Sequence, residues 1–255
     1  MTSPRPARLP KKRVDVVLVA QGKVETRARA QAFVMAGRVR IGGVRIDKPG
    51  TIVSIDAALD VDAEQTYVSR GGHKLEGALA SFAALGLDVR HKIAADFGAS
   101  TGGFVDCLLQ RGATRVHAID VGHGLLHERL RQDARVILHE RTNARTLDPT
   151  LLGEQVELVV IDASFIGLAK LLDAARAVLV PGGELLALIK PQFEAGREEV
   201  SRGQGVIRDE EVRTRIVMEV LEQVRGAGFE VLGDAACVLT GPKGNREHFV
   251  YGRGG

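Results

Sequence analysis

Four stretches of this 255-residue chain place polar groups where they could act on a ligand. The first is a glycine-rich turn, Asp96-Phe-Gly-Ala-Ser-Thr-Gly-Gly-Phe104, which follows an apolar run and leads into a helical pattern. Glycines there let the backbone turn sharply and approach a ligand closely. The spacing is neither GxGxxG nor GxxxxGK(S/T), which disfavours dinucleotide and P-loop readings. The second stretch ends the next apolar run in Ala-Ile-Asp120-Val-Gly. A carboxylate at that point accepts two hydrogen bonds from a ribose diol, so turn and acid together point to an adenosine-containing cofactor. The third and fourth are Val-Ile-Asp162-Ala-Ser-Phe165 and Leu-Ile-Lys190-Pro-Gln-Phe193. Each ends an apolar run in a charged residue, which sets Asp162 and Lys190 at the carboxyl edge of a sheet, where open α/β folds bind ligands. Lying on neighbouring strands, they read as a functional pair. Lys74, in Ser69-Arg-Gly-Gly-His-Lys-Leu-Glu76, and Glu247, in Gly244-Asn-Arg-Glu247, are two further candidates.

The elements that must position these residues begin near Ile93. Apolar runs at Ile93–Ala95, Val116–Ile119, Val136–Leu138, Leu158–Ile161 and Leu185–Ile189 alternate with helical stretches. Five such strands with crossovers predict a doubly wound parallel sheet. Two more, near Phe229–Leu239 and Phe249–Tyr251, are joined by the short loop Thr240 to Arg246 and predict an antiparallel hairpin at one edge. This α/β outline resembles that of the Rossmann-like methyltransferases.

The amino-terminal part has a different character. Residues 1–62 hold 12 Lys/Arg against 6 Asp/Glu, whereas the remainder holds 23 against 26. A basic module ahead of a mildly acidic working domain suggests docking to a polyanion. After a Pro-rich basic tail, Val14 to Ala20 and Arg27 to Ala36 read as short helices, with Ala28, Ala32 and Met35 on one stripe and Arg27 and Gln31 on a neighbouring polar face. Gly37 stops the second helix. Alternating apolar and basic residues around Gly42-Gly43 then predict a β-hairpin. Strict alternation turns Arg38, Arg40 and Arg45 to solvent and Val39, Ile41, Val44 and Ile46 to a core.

This stretch resembles an S4 domain, a small α+β RNA-binding fold, through Arg13-Val-Asp15, Thr26-Arg-Ala-Arg-Ala30, Ala36-Gly-Arg-Val-Arg-Ile-Gly-Gly-Val44 and Lys48-Pro-Gly50. The match implies Arg13, Arg27, Arg29 and Lys48 as RNA contacts. Lys74, Asp162, Lys190 and Glu247 resemble the K-D-K-E tetrad of FtsJ-type RNA 2′-O-methyltransferases. Together with Tyr67-Val-Ser-Arg-Gly-Gly-His-Lys74, Gly98-Ala-Ser-Thr-Gly-Gly-Phe104, Glu140-Arg-Thr-Asn-Ala-Arg145, Lys190-Pro-Gln-Phe193 and Gly241-Pro-Lys-Gly-Asn245, the arrangement resembles the TlyA family of ribosomal RNA ribose methyltransferases, some of which carry a haemolysin name. The resemblance implies a Rossmann-like class I methyltransferase with a mixed seven-stranded sheet, acting on ribosomal RNA or a ribosomal subunit. S-adenosylmethionine is the implied donor, held by Asp96, Gly98, Ala99, Ser100, Thr101, Gly102, Gly103, Asp120, Asn143 and Asp162. The expected layout is a flexible basic tail at 1–12, an S4-like domain at 13–62, a linker at 63–68 and the methyltransferase at 69–255. The target expected is a cytidine of large-subunit rRNA, because family members that also modify the small subunit tend to carry an extra carboxyl-terminal stretch and this chain stops at Gly255.

Composition narrows the rivals. No apolar run approaches the roughly 18 residues of a membrane span, and the basic start carries no secretory signal pattern. A membrane-active haemolysin would need such a segment. Two cysteines, Cys107 and Cys237, form no disulfide framework and sit in apolar patterns that read as packing, so a reducing, cytoplasmic setting is expected. The histidines, His117, His123 and His127 among them, show no metal-ligand spacing, and no metal is expected. No stable protein partner is legible. A non-catalytic RNA-binding or ribosome-assembly factor would not need all four tetrad residues, and a nicotinamide-dependent oxidoreductase would need a different glycine spacing.

Overall fold

The computed structural model describes residues 9–61, 66–196, 199, 203–241 and 243–255. The chain divides into two compact units, Met1–Gln65 and Thr66–Gly255.

In the first unit, strand β1 (Lys11–Arg13) leads into helices α1 (Val14–Ala20) and α2 (Arg27–Met35), followed by strands β2 (Val39–Ile41), β3 (Val44–Ile46), β4 (Ile52–Ser54) and β5 (Leu59–Val61). β1 pairs antiparallel with β4, and β2 lies between β3 and β5 in a second small sheet. Thr26 caps α2, its Oγ1 accepting the Arg29 N–H at 3.2 Å. Gly42 and Gly43 both have positive φ, +53° and +81°, the mirror-image turn that suits a two-residue hairpin. Val14, Val17, Leu18, Ala30, Val34, Val39 and Leu59 form the core.

Three sequence expectations are corrected here. Lys11 and Lys12 belong to a strand rather than to a flexible tail, because Ile52–Ser54 supplies their backbone partners; residues 1–8 of that tail lie outside the described residues. The Ala28, Ala32 and Met35 stripe faces solvent, with Met35 64% exposed, and α2 instead buries Ala30 and Val34. Val44 is 70% exposed, at the hairpin end of β3, which is an edge strand.

Asp15 is the polar centre of this unit. Its fully buried carboxylate pairs with Arg13 at 3.0 Å and Arg27 at 3.1 Å and accepts the Gln31 amide at 2.9 Å. The expected Arg27–Gln31 face is thus organised by an acid from α1. Arg29 pairs with Glu25 at 3.2 Å, and Lys48 is exposed in the turn before β4.

The second unit opens on helix α3 (Arg70–Phe82). β6 (Ile93–Phe97), α4 (Gly103–Gln110), β7 (Arg115–Ile119), α5 (Glu128–Arg131), β8 (Val136–His139), β9 (Val156–Ile161), α6 (Ala169–Val178), β10 (Leu179–Ile189) and α7 (Pro191–Glu194) follow, then α8 (Glu210–Gly226), β11 (Phe229–Ala236) and β12 (His248–Gly254). The strands form one seven-stranded sheet in the order β11-β12-β10-β9-β6-β7-β8. β6 to β10 run parallel, and β12 and β11 are antiparallel additions at one side. Side chains leave each strand alternately to two cores. Ala94, Val116, Leu158, Val160 and Leu186 meet α3 and α4 on one face, with Phe82, Phe104 and Tyr251. Phe97, Ile119, Val159, Ile161 and Ile189 meet α6 and α8 on the other, with Leu172, Val220 and Val224.

The expected linker is also revised. Residues 63–65 of it lie outside the described residues, but Tyr67 is 3% exposed within the first of these cores, and the Val68 N–H bonds Asp106 Oδ2 at 2.8 Å. Gly72 makes room for the Tyr67 ring, since a Cβ there would stand 2.2 Å from it. Cys107 is fully buried beside Tyr67, and burial pushes its thiol up to about 12, a packing residue. Among the described residues no helix is long and apolar enough to cross a membrane.

Replacing Asp15 with alanine removes the shared partner of two half-exposed arginines, which is expected to cost about 1–3 kcal/mol. The bond from Arg13 holds the Asp15 carboxyl well below the usual carboxylate range. Its contribution is therefore whole above about pH 4 and drains away as pH falls toward the depressed folded value. Scanning calorimetry of the full chain should show the Asp15→Ala variant melting earlier at pH 7, with the gap narrowing below about pH 4.

Candidate active site

The carboxyl ends of β6, β9 and β10 open into a cavity of about 650 Å³. β9 ends in Asp162 and β10 in Lys190, and their side chains meet as an ion pair, Lys190 Nζ to Asp162 Oδ1 at 2.5 Å. Lys190 also donates to Ser164 Oγ at 2.9 Å and to the Asp162 carbonyl at 3.4 Å. α3 lays Lys74 into the same cavity, where its Nζ lies 2.5 Å from Glu247 Oε2. Lys74, Lys190 and Glu247 are all buried. Charges removed from water in this way cost stability unless paired, and both lysines are paired.

Close helix contact makes the Lys74 position possible. A Cβ on Gly103 would stand 2.3 Å from Ser69 Oγ and 2.8 Å from the Gly72 nitrogen, so α3 can lie against the start of α4 only because residue 103 is glycine. Glu247 is fixed by its own loop. Asn245, 3% exposed, accepts the Ile207 N–H at 3.0 Å and donates to the Gly205 carbonyl at 2.9 Å, and the Glu247 carbonyl accepts the Cys237 N–H at 2.9 Å.

The glycine-rich turn forms the floor. Gly98 has φ +93°, and a Cβ on it would meet Ala163 and Asp162 backbone at 3.2 Å, so the turn passes directly beneath the β9 loop. Asp96 is 1% exposed, and neither of its carboxylate oxygens has a hydrogen-bond partner among the described residues. Burial, followed by the neighbouring charges of Asp162 and Asp120, raises it well above the usual carboxylate range, against the smaller opposing pull of the Val105 N–H. A buried acid with unsatisfied oxygens, lining an open cavity, is built to receive a cation or a hydrogen-bond donor.

Of the residues expected at the site, Lys74, Asp96, Gly98, Ala99, Ser100, Thr101, Gly103, Asp162, Lys190 and Glu247 line this cavity. Gly102, Asp120 and Asn143 do not. Gly102 turns the chain into α4 with φ +93°. Asp120 holds the turn from beneath, accepting the Ser100 and Gly122 N–H groups at 2.7 Å each. Asn143 caps the short turn Ala144–Thr146 through the Arg145 N–H at 3.0 Å. Arg13, Arg27, Arg29 and Lys48 belong to the first unit.

Sequence reasoning missed several residues of the cavity rim. Phe165 is 90% exposed with φ +65°, and its ring centroid lies 5.1 Å from that of Phe193. The loop bearing it is fastened at its far end by Glu194, whose Oε1 accepts the Leu168 N–H at 2.8 Å and whose carboxyl is raised by burial. An exposed aromatic in a left-handed conformation leaves no periodicity to read. Asp-Ala-Ser-Phe gave only the position of the turn.

Comparison with known proteins agrees with this geometry. The FtsJ-like methyltransferase family matches residues 67–254 and the S4 domain family residues 12–58. The 16S/23S rRNA (cytidine-2′-O)-methyltransferase TlyA of Mycobacterium tuberculosis (strain ATCC 25618 / H37Rv) is 45% identical over 241 residues, covering 94% of this chain and 88% of that protein. Hemolysin A of Brachyspira hyodysenteriae is 37% identical over 240 residues, covering 94% and 98%. A solved structure from Streptococcus thermophilus that bears a hemolysin name superposes with a TM-score of 0.72 at 41% identity, covering 96% of this chain and 89% of the other.

If the buried pairs are kept for chemistry, stability and activity should separate. Lys74→Met leaves Glu247 buried and unpaired and is expected to cost about 3–5 kcal/mol. Adding Glu247→Leu should recover most of that loss in urea unfolding while catalysis stays absent.

Proposed function

Because the chain belongs to the TlyA family of FtsJ-like methyltransferases, we propose that it transfers a methyl group from S-adenosylmethionine to a ribose 2′-hydroxyl of ribosomal RNA, at a cytidine. The observation that carries this reading is the convergence of Lys74, Asp162, Lys190 and Glu247 on one cavity whose floor is a glycine turn around Asp96. A site kept only for RNA binding has no use for two lysine–carboxylate pairs in one cavity, with Lys74, Lys190 and Glu247 withdrawn from water.

The residues fit the donor. Asp96 and Asp162 add carboxylates to a cavity whose other ion pair, Lys74–Glu247, is self-neutralised. The unsatisfied Asp96 oxygens suit a ligand that brings positive charge, which would favour the ionised acid. When bound, S-adenosylmethionine supplies a methyl group already activated on a sulfonium. Gly98 to Gly103 would cradle it, Asp96 and Asp162 would meet its cationic groups, and Asp120 would act by holding the turn in shape.

What remains for the chain is the poor nucleophile. A ribose hydroxyl attacks well only as its proton leaves, so a group must stand at that oxygen to favour the loss. Lys190 takes this part: it stabilises negative charge growing on the 2′-oxygen or, as the neutral amine, accepts the proton. The donor, when bound, would supply the methyl group with its sulfur as the leaving atom, and the hydroxyl proton would pass to Lys190 or to solvent. Asp162 orients Lys190. Lys74 and Glu247 would hold the ribose so that its 2′-oxygen faces the donor. Phe165, exposed at the rim beside Phe193, offers a face on which the target base can stack. The S4 unit, with Arg13, Arg27, Arg29 and Lys48, supplies phosphate contacts.

Lys190 acts mainly in the transition state, so Lys190→Ala should fold, bind donor and RNA nearly as before, and lose about a hundredfold or more in rate. Lys190→Arg should also be slow, since a guanidinium keeps its proton and has another shape. Single-turnover methylation with both substrates saturating decides the matter. Near-normal turnover by Lys190→Ala would sink the assignment.

A further inference from the structure

The Lys190 ammonium carries three N–H groups, and the loop after β9 faces them with three oxygens. The Asp162 carboxylate is 2.5 Å away, but the hydrogen bonds that give the amine a direction run to Ser164 Oγ at 2.9 Å and to the Asp162 carbonyl at 3.4 Å. On another side stands the Phe193 ring, 6.0 Å from Nζ to its centroid, which attracts a cation without fixing its direction. Among the described residues Ser164 is therefore the side chain that hydrogen-bonds Lys190 within ordinary bonding distance.

The two side-chain partners differ in kind. A carboxylate is acceptor-only, so Asp162 holds Lys190 well as an ammonium and poorly as a neutral amine. Asp162 also borders the cavity floor formed by Asp96 and Gly98, where a cationic donor would compete for its charge. A hydroxyl both accepts and donates, so Ser164 can stay bonded to Lys190 in either protonation state. Its place is held from both sides. Asp162 is fixed before it by a backbone bond to Phe97, at 3.3 Å, and Leu168 is fixed after it by Glu194 at 2.8 Å.

We propose that Ser164 is a positioning residue for methyl transfer: its hydroxyl keeps Lys190 Nζ aimed at the target oxygen while Asp162 is engaged with the donor. This role rests on the methyl-transfer reading above. Ser164 is itself exposed and contributes nothing to either core, so loss of its hydroxyl leaves the fold intact.

The full chain is compared with its Ser164→Ala and Ser164→Thr variants, using labelled S-adenosylmethionine and ribosomal subunits lacking the modification. Single-turnover rates are measured with both substrates saturating, and donor affinity by calorimetry. Ser164→Ala is expected to lose about tenfold or more in rate, with donor affinity changed by less than about twofold, and Ser164→Thr to return within about threefold of the unaltered chain. An alanine variant at full rate, a loss confined to donor affinity, or a threonine variant no better than alanine would overturn the role. If the unaltered chain transfers no methyl group, the functional reading falls and this role falls with it. If the unaltered chain methylates ribose and the alanine variant keeps pace, only the role of Ser164 is lost.

Discussion

The second unit is organised around two lysine–carboxylate pairs in one cavity, with Lys74, Glu247 and Lys190 buried and Asp162 partly so. Each pair must be complete, because a single buried charge left alone costs more than either pair gains. That requirement explains features that otherwise look unrelated. Gly103 has no side chain so that α3 can bring Lys74 close, and Asn245 ties down the loop that delivers Glu247. β9 and β10 lie side by side so that Asp162 and Lys190 emerge together. Hydrophobic residues could fill the same space at lower cost. Their absence is the physical mark of a site.

The first unit uses a related device at smaller scale. Asp15 is buried so completely that its charge has no outlet except the arginines it holds, and it sets Arg13, Arg27 and Gln31 on one polar surface. Cations held in that way present a fixed pattern, which suits a regular phosphate backbone better than long side chains moving independently. In both units a buried acid determines where a base stands.

Much of this was legible in the sequence, for reasons that can be stated. Asp162 and Lys190 each close an apolar run, and strand ends in a parallel sheet collect at one edge, so their proximity followed from pattern alone. Two glycines between alternating residues announced the β2–β3 hairpin. The contact between Lys74 and Glu247 spans 173 residues, and no local pattern predicts it; the resemblance to a known tetrad supplied it. Face assignments in the first unit failed where side chains are small or strands lie at an edge. Alanines at positions 28 and 32 fit either side of a short helix, and the core that alternation promises along the edge strand reaches Ile46 but not Val44. Asp120 stands at a strand end, as the pattern places it, and what the sequence does not show is that its oxygens also accept backbone N–H groups from the turn. Ser164, Phe165 and Glu194 were invisible because their importance lies in loop geometry, which carries no period.

The central claim is that this cavity acts on a ribose oxygen rather than on a base. The most direct measurement uses S-adenosylmethionine carrying a deuterated methyl group, ribosomal subunits from a strain lacking this activity, and digestion of the recovered rRNA to nucleosides for mass spectrometry. The account predicts deuterated methyl on the ribose of cytidine, with the base fragment unlabelled. Deuterium on the base fragment, or none in the rRNA under conditions where the chain binds both substrates, would contradict it.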